Sequence, residues 1–319
     1  MKTRIVAGAH IAVSLVGLAA VIWWATRQDP PELPRTRNDV LALVGGLGLY
    51  ALAMLARAER WHRIVERAEI PAERGDIYRL TAVGYMGNNV LPARSGDLMR
   101  AFLLAPIAGT RRREVLGTIV AERLLDALAL GLVFAAVALV FARGTALPDT
   151  TVLLFVAAAG IAVCVIGAAT LIWARRTGAL GRARELLRPL AAPSRDLASG
   201  HGGGLLVLSL AVWLLEASVY LAVARAVNLD FGLAGALYVM AISNLFALIP
   251  AAPGYIGTYD AGVLFAVHSL DEAGSAAVAY LVMLRFLLFV PVTLVGLAFL
   301  MTRYGGWSRL RAARVETPA

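Results

Sequence analysis

Long apolar runs alternate with short polar segments along most of this chain. A helix needs about 20 apolar residues to cross a bilayer, so seven of these runs are predicted to be full membrane spans. They are Arg4 to Ala25, Val40 to Ala56, Val115 to Ala142, Val152 to Ala174, Leu205 to Val227, Gly232 to Ile249 and Ser275 to Met301. A shorter run, Tyr255 to His268, is expected to complete an eighth crossing, and Ile77 to Leu91 is expected to be re-entrant. The pattern predicts an all-α polytopic membrane protein with a single integral membrane domain over residues 1–319.

Composition supports this class. Apolar residues make up 60% of the 319 positions and the mean hydropathy is +0.74, which excludes an ordinary soluble domain. The first apolar run follows only Met1, Lys2 and Thr3, as the core of a secretory signal would. The run is long, however, and no A-x-A cleavage pattern precedes Gln28. We therefore expect the first run to be a retained helix.

Arginines are concentrated in a few of the polar connections, and their distribution predicts the orientation of the chain. They crowd residues 57–79, 94–113 and 175–203 and the tail 303–319, whereas the other connections hold few basic residues. The positive-inside rule assigns these arginine-rich segments to the cytoplasm, so both termini are expected there. Arg27, Arg35 and Arg37 run against this rule, because they fall on the side predicted to be external.

The net charge of +9 arises mostly in those predicted cytoplasmic loops. A nucleic-acid-binding function would need a folded basic domain, and the longest polar stretch, residues 175–203, is too short to bury its own core. The net charge is better explained by topology and by attraction to anionic headgroups. We expect no nucleic-acid partner.

The residue types that bind metals are few and scattered. Cys164 is the only cysteine and lies inside an apolar run, so a disulfide within the chain is excluded. The histidines lack both the spacing and the neighbouring ligands of a zinc site; they are His10, His62, His201 and His268. We therefore expect neither a metal nor a cofactor.

Two apolar stretches, Asn88 to Arg100 and Leu248 to Asp260, are interrupted in the same way, by a proline followed four residues later by a glycine. The residues concerned are Pro92 and Gly96 in the first stretch and Pro253 and Gly257 in the second. Proline removes a backbone donor, and unpaired backbone groups are tolerated at membrane depth only where they line a buried or watery cavity. Broken segments in both halves of a chain indicate the binding site of a transporter.

Ionisable residues within the predicted spans are the second indication of a site, because charge is costly inside a membrane. Glu122, Arg123 and Asp126 lie on one stripe of a helix, and Glu216 and Arg285 lie near the middle of other spans. These five residues are predicted to form one buried network. Either the network is structural and holds helices together, or it is a polar site for a lipid headgroup.

The broken segments would complete such a site if helix N-termini point inward, because their free amides and positive dipole suit a phosphate. In this hypothesis, arginine forks bind phosphate, carboxylates bind a cationic headgroup or a proton, and asparagines donate hydrogen bonds. The arginines are Arg94 and Arg100, the carboxylates Asp97 and Asp260, the asparagines Asn88 and Asn89, and the second break is marked by Pro253, Gly254 and Gly257. Alternatively, residues 94–113 are only a basic cytoplasmic loop.

The spacing after the two breaks is similar. Arg123 follows Gly96 by 27 residues and Arg285 follows Gly257 by 28 residues. The similarity suggests an inverted repeat, an arrangement found in several transporter folds.

Four motifs, taken in order, resemble those of lysylphosphatidylglycerol synthase transmembrane-region proteins. They are N-x-x-P-x-R-x-G-[DE]-x-x-R at Asn89 to Arg100, E-R-x-x-D at Glu122 to Asp126, P-x-x-P-G-x-x-G at Pro250 to Gly257, and Arg285 followed by Pro291. The resemblance implies an eight-helix membrane fold with re-entrant pieces, in a prokaryotic inner membrane. It also implies a flippase-like role for phospholipids or polyprenyl-linked lipids.

Two departures from the family pattern affect this expectation. Asp97 stands where many members have glutamate, which retains the carboxylate. The best-known members append a cytoplasmic aminoacyltransferase domain, whereas this chain ends eighteen residues after Met301. If the cargo is an aminoacylated lipid, we therefore expect a partner enzyme to make it.

From these residues, we expect a flippase-like transporter that moves a phospholipid or polyprenyl-linked lipid through a charged cavity. Two other classes stay open. A membrane-embedded enzyme would use Glu122, Asp126 or Asp260 as acid or base on lipid phosphates. A scaffold for envelope biosynthesis would recruit partners through arginines such as Arg182 and Arg184.

Overall fold

The computed structural model describes Trp23, Thr26 and residues 34–91, 95–142, 200–248, 253–272 and 274–306. Within these ranges the chain forms eight α-helices and one 3-10 turn, and no strand. In chain order the helices are α1 (Arg37–Arg67), α2 (Arg74–Val90), α3 (Ser95–Ile107), α4 (Arg112–Ala142), α5 (Gly200–Ala226), α6 (Leu233–Phe246), α7 (Thr258–His268) and α8 (Ser275–Arg303), and the 3-10 turn is Pro253–Tyr255. The all-helical prediction is confirmed.

Three described helices are long and apolar enough to cross a membrane by length and composition: α1, residues 202–226 of α5, and α8. The protein is thus a polytopic membrane protein, as its apolar pattern predicts. The predicted spans Arg4 to Ala25 and Val152 to Ala174 lie outside the described residues, apart from Trp23. The total of eight crossings therefore stays a prediction. The start of α1 is fixed by a capping box, in which the side chains of Thr36 and Asp39 each accept a backbone hydrogen bond from the other residue.

Both predicted breaks coincide with the start of a short helix. α3 begins at Ser95 and has 13 residues, and α7 begins at Thr258 and has 11 residues. At 1.5 Å per residue, each is about 20 Å long or less, which is too short to cross a hydrocarbon core of about 30 Å. The second break turns through Gly254 and Gly257, whose φ angles of 66° and 88° favour glycine.

Glycines allow α2 to touch its neighbours backbone to backbone. A Cβ atom on Gly96 of α3 would lie 1.9 Å from the carbonyl oxygen of Gly84, and one on Gly296 of α8 would lie 2.4 Å from the carbonyl oxygen of Ala82. Real Cβ atoms do not approach so closely, so only glycine fits at either crossing. Helix α2 is therefore held between α3 and α8.

The two larger apolar cores are built from different sets of helices. One is formed mainly by α5, α6, α7 and α8, with Tyr220, Met240 and Leu284 fully buried. The other is formed by the end of α1 with α2, α3 and the start of α4, around Trp61. Polar residues lie where the helices of these cores meet.

Candidate functional site

Six charged side chains from three helices form a closed ring of ion pairs, called the ring below. Its members are Arg60 of α1, Asp97 and Arg100 of α3, and Glu122, Arg123 and Asp126 of α4. Three positive and three negative groups alternate around the ring, so that it is neutral when all are ionised. Helix periodicity explains the contribution of α4, because residues three and four apart share one face.

Glu122 is the most deeply buried carboxylate of the ring. One of its carboxylate oxygens accepts a hydrogen bond of 3.3 Å from Arg60 Nη2, and the other accepts one of 2.5 Å from Arg100 Nη2. All three side chains are fully buried. The indole ring of Trp61 covers the Arg100 guanidinium, with the Cζ atom 3.8 Å from the ring centre. Charges so far from water persist only because they are paired and hydrogen-bonded.

Arg123 forms the accessible rim of the ring together with two aspartates. Its Nε and Nη2 atoms both donate to the Asp97 carboxylate at 3.2 Å, and its Nη1 atom donates to Asp126 at 3.1 Å. The exposed fractions of the side chains are 33% for Arg123, 18% for Asp97 and 14% for Asp126. A ligand from outside therefore reaches the Arg123 rim before it reaches Glu122.

The buried arginines of the ring retain unused donors. Within the described part of the chain, Arg60 Nε, Arg100 Nε and Arg100 Nη1 make no hydrogen bond, although all three atoms are buried. A guanidinium has five N–H donors and no acceptor. Each of these three atoms is therefore a buried donor that still lacks an acceptor within the described part of the chain.

A separate ion pair joins α1 to α5 beside the ring. Arg57 donates to Glu216. The Cζ atom of Arg57 lies 5.5 Å from the centre of the Tyr85 ring and 5.9 Å from the centre of the Trp213 ring. One helical turn along α1, Arg60 Nη1 donates to Ser209 of α5 at 2.9 Å as well as to the ring. Helix α5 is therefore attached to the charged site at two levels.

The second broken segment carries its own cluster around Arg285 of α8. Arg285 Nε donates to Asp260 at 2.6 Å, Nη1 donates to the carbonyl oxygen of Gly254 at 2.5 Å, and Nη2 donates to that of Tyr255 at 3.3 Å. The other oxygen of Asp260 accepts from the amide of Gly257 at 2.8 Å. Arg285 thus satisfies carbonyls that the break releases from helical hydrogen bonding.

Two consecutive asparagines at the end of α2 contact both broken regions. Asn88 Oδ1 accepts a hydrogen bond of 3.0 Å from the amide of Gly96, next to the ring. Asn89 Nδ2 donates to Thr293 Oγ1 of α8 at 2.9 Å, and a Cβ atom on Gly254 would lie 3.2 Å from the Asn89 carbonyl oxygen. The end of α2 therefore lies between the ring and the Arg285 cluster.

The two broken regions share one local arrangement. Asp97 and Asp260 are each the third residue of the short helix that follows a break, and each pairs with an arginine of the next long helix. The separation in sequence is 26 residues for Asp97 and Arg123 and 25 residues for Asp260 and Arg285. The correspondence is local, and the inverted repeat suggested by the sequence stays a prediction.

Several residues predicted to share a site do meet. Asp97, Arg100, Glu122, Arg123 and Asp126 belong to the ring. The five predicted network charges do not form a single network, however. Glu216 pairs with Arg57, and Arg285 pairs with Asp260, because Glu216 lies on α5 and Arg285 on α8, neither of which contributes to the ring. Pro92 and Arg94 lie outside the described residues.

Arg57 and Arg60 were missed by sequence reasoning, which counted both as charges of the loop 57–79. The structure places them within α1, which continues to Arg67, and both are buried. A signal was present in the sequence, because Arg57, Arg60 and Ile64 fall on one helical face with spacings of three and four. In the described ranges, His, Cys, Asp and Glu side chains form no group of three that could hold a metal ion.

The region that contains the ring and the Arg285 cluster is covered by a match to a known protein family. A family model described as the lysylphosphatidylglycerol synthase TM region matches residues 9–296 of the 319-residue chain, a range that includes the ring and the Arg285 cluster. No curated protein and no solved structure matches the chain.

Proposed function

Because this chain belongs to the lysylphosphatidylglycerol synthase transmembrane-region family, we propose that it moves a phospholipid or a polyprenyl-linked lipid between the leaflets of a membrane. Membership of the family and the apolar helices make it a multi-pass membrane protein associated with lipid-related processes. The flippase role is our proposal, and the observation that carries it is the ring. A set of six paired charges, three of them fully buried, is a costly structure inside a membrane protein.

The ring supports headgroup transfer through exchange of ionic partners. A lipid phosphate reaching Arg123 takes the place of Asp97, and a guanidinium binds phosphate in the same forked geometry as carboxylate. The displaced Asp97 then faces either Arg100, whose Nη1 lies 3.7 Å away, or a cationic group of the headgroup. Each step replaces one ion pair by another, so no charge has to cross the hydrocarbon unpaired.

The exposed fractions of the ring side chains decrease from Arg123 towards Glu122, so a headgroup that exchanges ion pairs moves inward from Arg123. Arg123 is one-third exposed, whereas Glu122, Arg60 and Arg100 are fully buried behind it. The unused donors of Arg60 and Arg100 offer the next acceptor position for a phosphate oxygen. In the proposed mechanism, the headgroup follows this polar path while its hydrocarbon chains stay in lipid.

Leaflet exchange in proteoliposomes tests this proposal. We expect Arg123→Ala to lower exchange of a fluorescent phospholipid or polyprenyl phosphate at least tenfold, because the accessible cation is lost. The matched control is Arg63→Ala, which removes an arginine that also pairs with a carboxylate, Glu59, but is 53% exposed at the end of α1. Exchange by Arg123→Ala at the wild-type rate, in correctly inserted protein, would contradict the proposed role of the ring.

The remaining parts of the proposal concern cell location and partners. We propose that the protein lies in the inner membrane of a prokaryote, as the family resemblance implies, and that both termini lie in the cytoplasm, as the arginine distribution predicts. A partner enzyme that makes an aminoacylated cargo belongs to the same proposal.

The alternative, in which this chain is itself a membrane-embedded enzyme, predicts product formation in detergent micelles, where no second leaflet exists. It is less favoured, because both oxygens of Glu122 are occupied by arginines.

A further inference from the structure

The ion pairs divide the helices into two groups. The ring group consists of α1 to α5. The break group consists of α6, α7, the 3-10 turn and residues 275–290 of α8. Among the described residues, every ion pair joins two side chains of the same group: Asp260 and Arg285 in the break group, and all the others in the ring group. Ionic contacts therefore hold each group together internally.

The polar contacts between the two groups are neutral, and three of them come from tyrosines. The Tyr50 hydroxyl donates to the carbonyl oxygen of Leu288 at 2.7 Å, and the hydroxyls of Tyr220 and Tyr259 lie 2.8 Å apart. The Tyr280 hydroxyl donates to the carbonyl oxygen of Tyr220 at 3.2 Å. We call these four tyrosines the tyrosine seam. Neutral hydrogen bonds are about half as strong as charged ones, so directional contacts are weaker between the groups than within them.

The second half of α8 is fixed to the ring group. A Cβ atom on Gly296 would lie 2.4 Å from the carbonyl oxygen of Ala82, and Leu300 is fully buried in the core formed by the first four helices. Just after the helix, the Tyr304 hydroxyl donates to Asp76 of α2 at 3.0 Å. One helix thus belongs to the break group at its start and to the ring group at its end.

Pro291 lies between these two halves of α8. Proline has no N–H, so it gives the carbonyl oxygen of Leu287 no helical hydrogen bond, and prolines inside helices are common sites of bending. The Asn89 side chain contacts α8 on both sides of this point, with bonds of 2.9 Å to Thr293 and 3.4 Å to the carbonyl oxygen of Phe289. The shorter bond is on the fixed side, so the weaker contact lies on the side that can move.

We infer that α8 bends at Pro291 and that the break group rotates against the ring group, opening the tyrosine seam. The apolar core shared by α5 and the break group permits this rotation, because apolar contact is not directional. Opening the seam uncovers the buried face of α5 that carries Tyr220 and, one turn earlier, Glu216. The inference rests on the proposed function, to which it adds a second conformation with this polar face open.

Distances between spin labels in proteoliposomes, measured by double electron–electron resonance, test the inference. One pair of labels replaces Arg225 and His268, exposed residues near the ends of α5 and α7, and spans the seam. A second pair replaces Arg67 and Arg303, exposed residues at the ends of α1 and α8 on the fixed side of the hinge. The labels are attached to introduced cysteines in a Cys164→Ser background, because the chain has no other cysteine.

Tyr259→Phe removes one hydroxyl from the seam and retains the aromatic ring. It is expected to raise the population with the longer Arg225–His268 distance about fivefold, as the loss of one neutral hydrogen bond implies. Pro291→Ala supplies the missing helical donor and is expected to lower the same population roughly threefold. The Arg67–Arg303 distance should stay constant in both. The matched control is Tyr78→Phe, which removes a hydroxyl bonded at 2.8 Å to Glu59 inside the ring group and should change neither distance.

Two results would overturn the inference. One is equal Arg225–His268 distances in the Tyr259 and Tyr78 variants, and the other is a change in the Arg67–Arg303 distance as large as that across the seam. Leaflet exchange of a fluorescent phospholipid, measured on the same samples, separates the inference from the proposed function. Opening of the seam without exchange would contradict the transport proposal alone. Exchange without any response of the seam to Tyr259→Phe and Pro291→Ala would contradict the hinge alone.

Discussion

Glu122→Gln removes one charge from the centre of the ring while nearly preserving the shape of the side chain. Arg60 retains a close partner, Asp126, at 2.6 Å, whereas the remaining partner of Arg100 is Asp97 at 3.7 Å. The change leaves the ring with one excess positive charge, located on a fully buried arginine. The stability of the fold is therefore expected to depend on this single carboxylate.

The size of the effect follows from the burial of the pair. Removing one partner of a buried ion pair costs about 3–5 kcal/mol, and the lower end applies here because Arg60 stays paired. A loss of about 3 kcal/mol corresponds to a fall in melting temperature of about 6–12 °C at about 2–4 °C per kcal/mol. Differential scanning fluorimetry of the purified protein in detergent measures this fall.

Two further variants make the measurement specific to the ring. Glu59→Gln is the control, because Glu59 pairs with Arg63 and Arg74, whose side chains are mostly exposed. Exposed pairs contribute about 0–1 kcal/mol, so we expect a shift below about 4 °C. The double variant Glu122→Gln with Arg100→Gln is expected to recover part of the loss, because it removes the unpaired charge. A melting temperature for Glu122→Gln within 2 °C of wild type would refute the reasoning.

Two other predictions concern the breaks. Gly96→Ala is expected to prevent accumulation of folded protein, because its Cβ atom would lie 1.9 Å from the Gly84 carbonyl oxygen. The control Gly45→Ala should accumulate normally, because a Cβ atom there would have nothing within 4 Å. Equal yields of the two variants in a blot of the membrane fraction would contradict the close crossing. Arg285→Ala is expected to speed amide hydrogen exchange in residues 253–257 at least tenfold, because it releases two carbonyls and Asp260. Unchanged exchange there would show that Arg285 does not hold the segment.

Much of the fold could be predicted from the sequence, because its helices follow from apolar periodicity and its breaks from proline and glycine. Charges within apolar runs were equally visible, which is why Glu122, Arg123 and Asp126 were identified as a stripe. The choice of partners was not predictable in this way. Glu216 pairs with an arginine 159 residues away, and such a contact depends on how α1 and α5 pack rather than on any local pattern.

Arg57 and Arg60 show a second limit of sequence reasoning. They stand at the start of an arginine-rich stretch, where the positive-inside rule explains each arginine equally well. What distinguishes them is burial, and burial depends on the course of α1 beyond its apolar run to Arg67. The positive-inside rule therefore obscured two of the buried cations.

The glycine crossing of α2 and α3 has a mechanical consequence. Sliding α3 along α2 by one helical turn would bring Met99 or Arg100, which share the face of Gly96, to the Gly84 carbonyl, where even a single Cβ atom lacks room. The two helices are thus interlocked and cannot shift register. Any displacement of Asp97 and Arg100 away from α4 must therefore move α2 as well. Asn89 moves with α2, and its side chain is hydrogen-bonded to α8. Helices α2 and α3 therefore move as one rigid unit, which contacts both the ring and the Arg285 cluster.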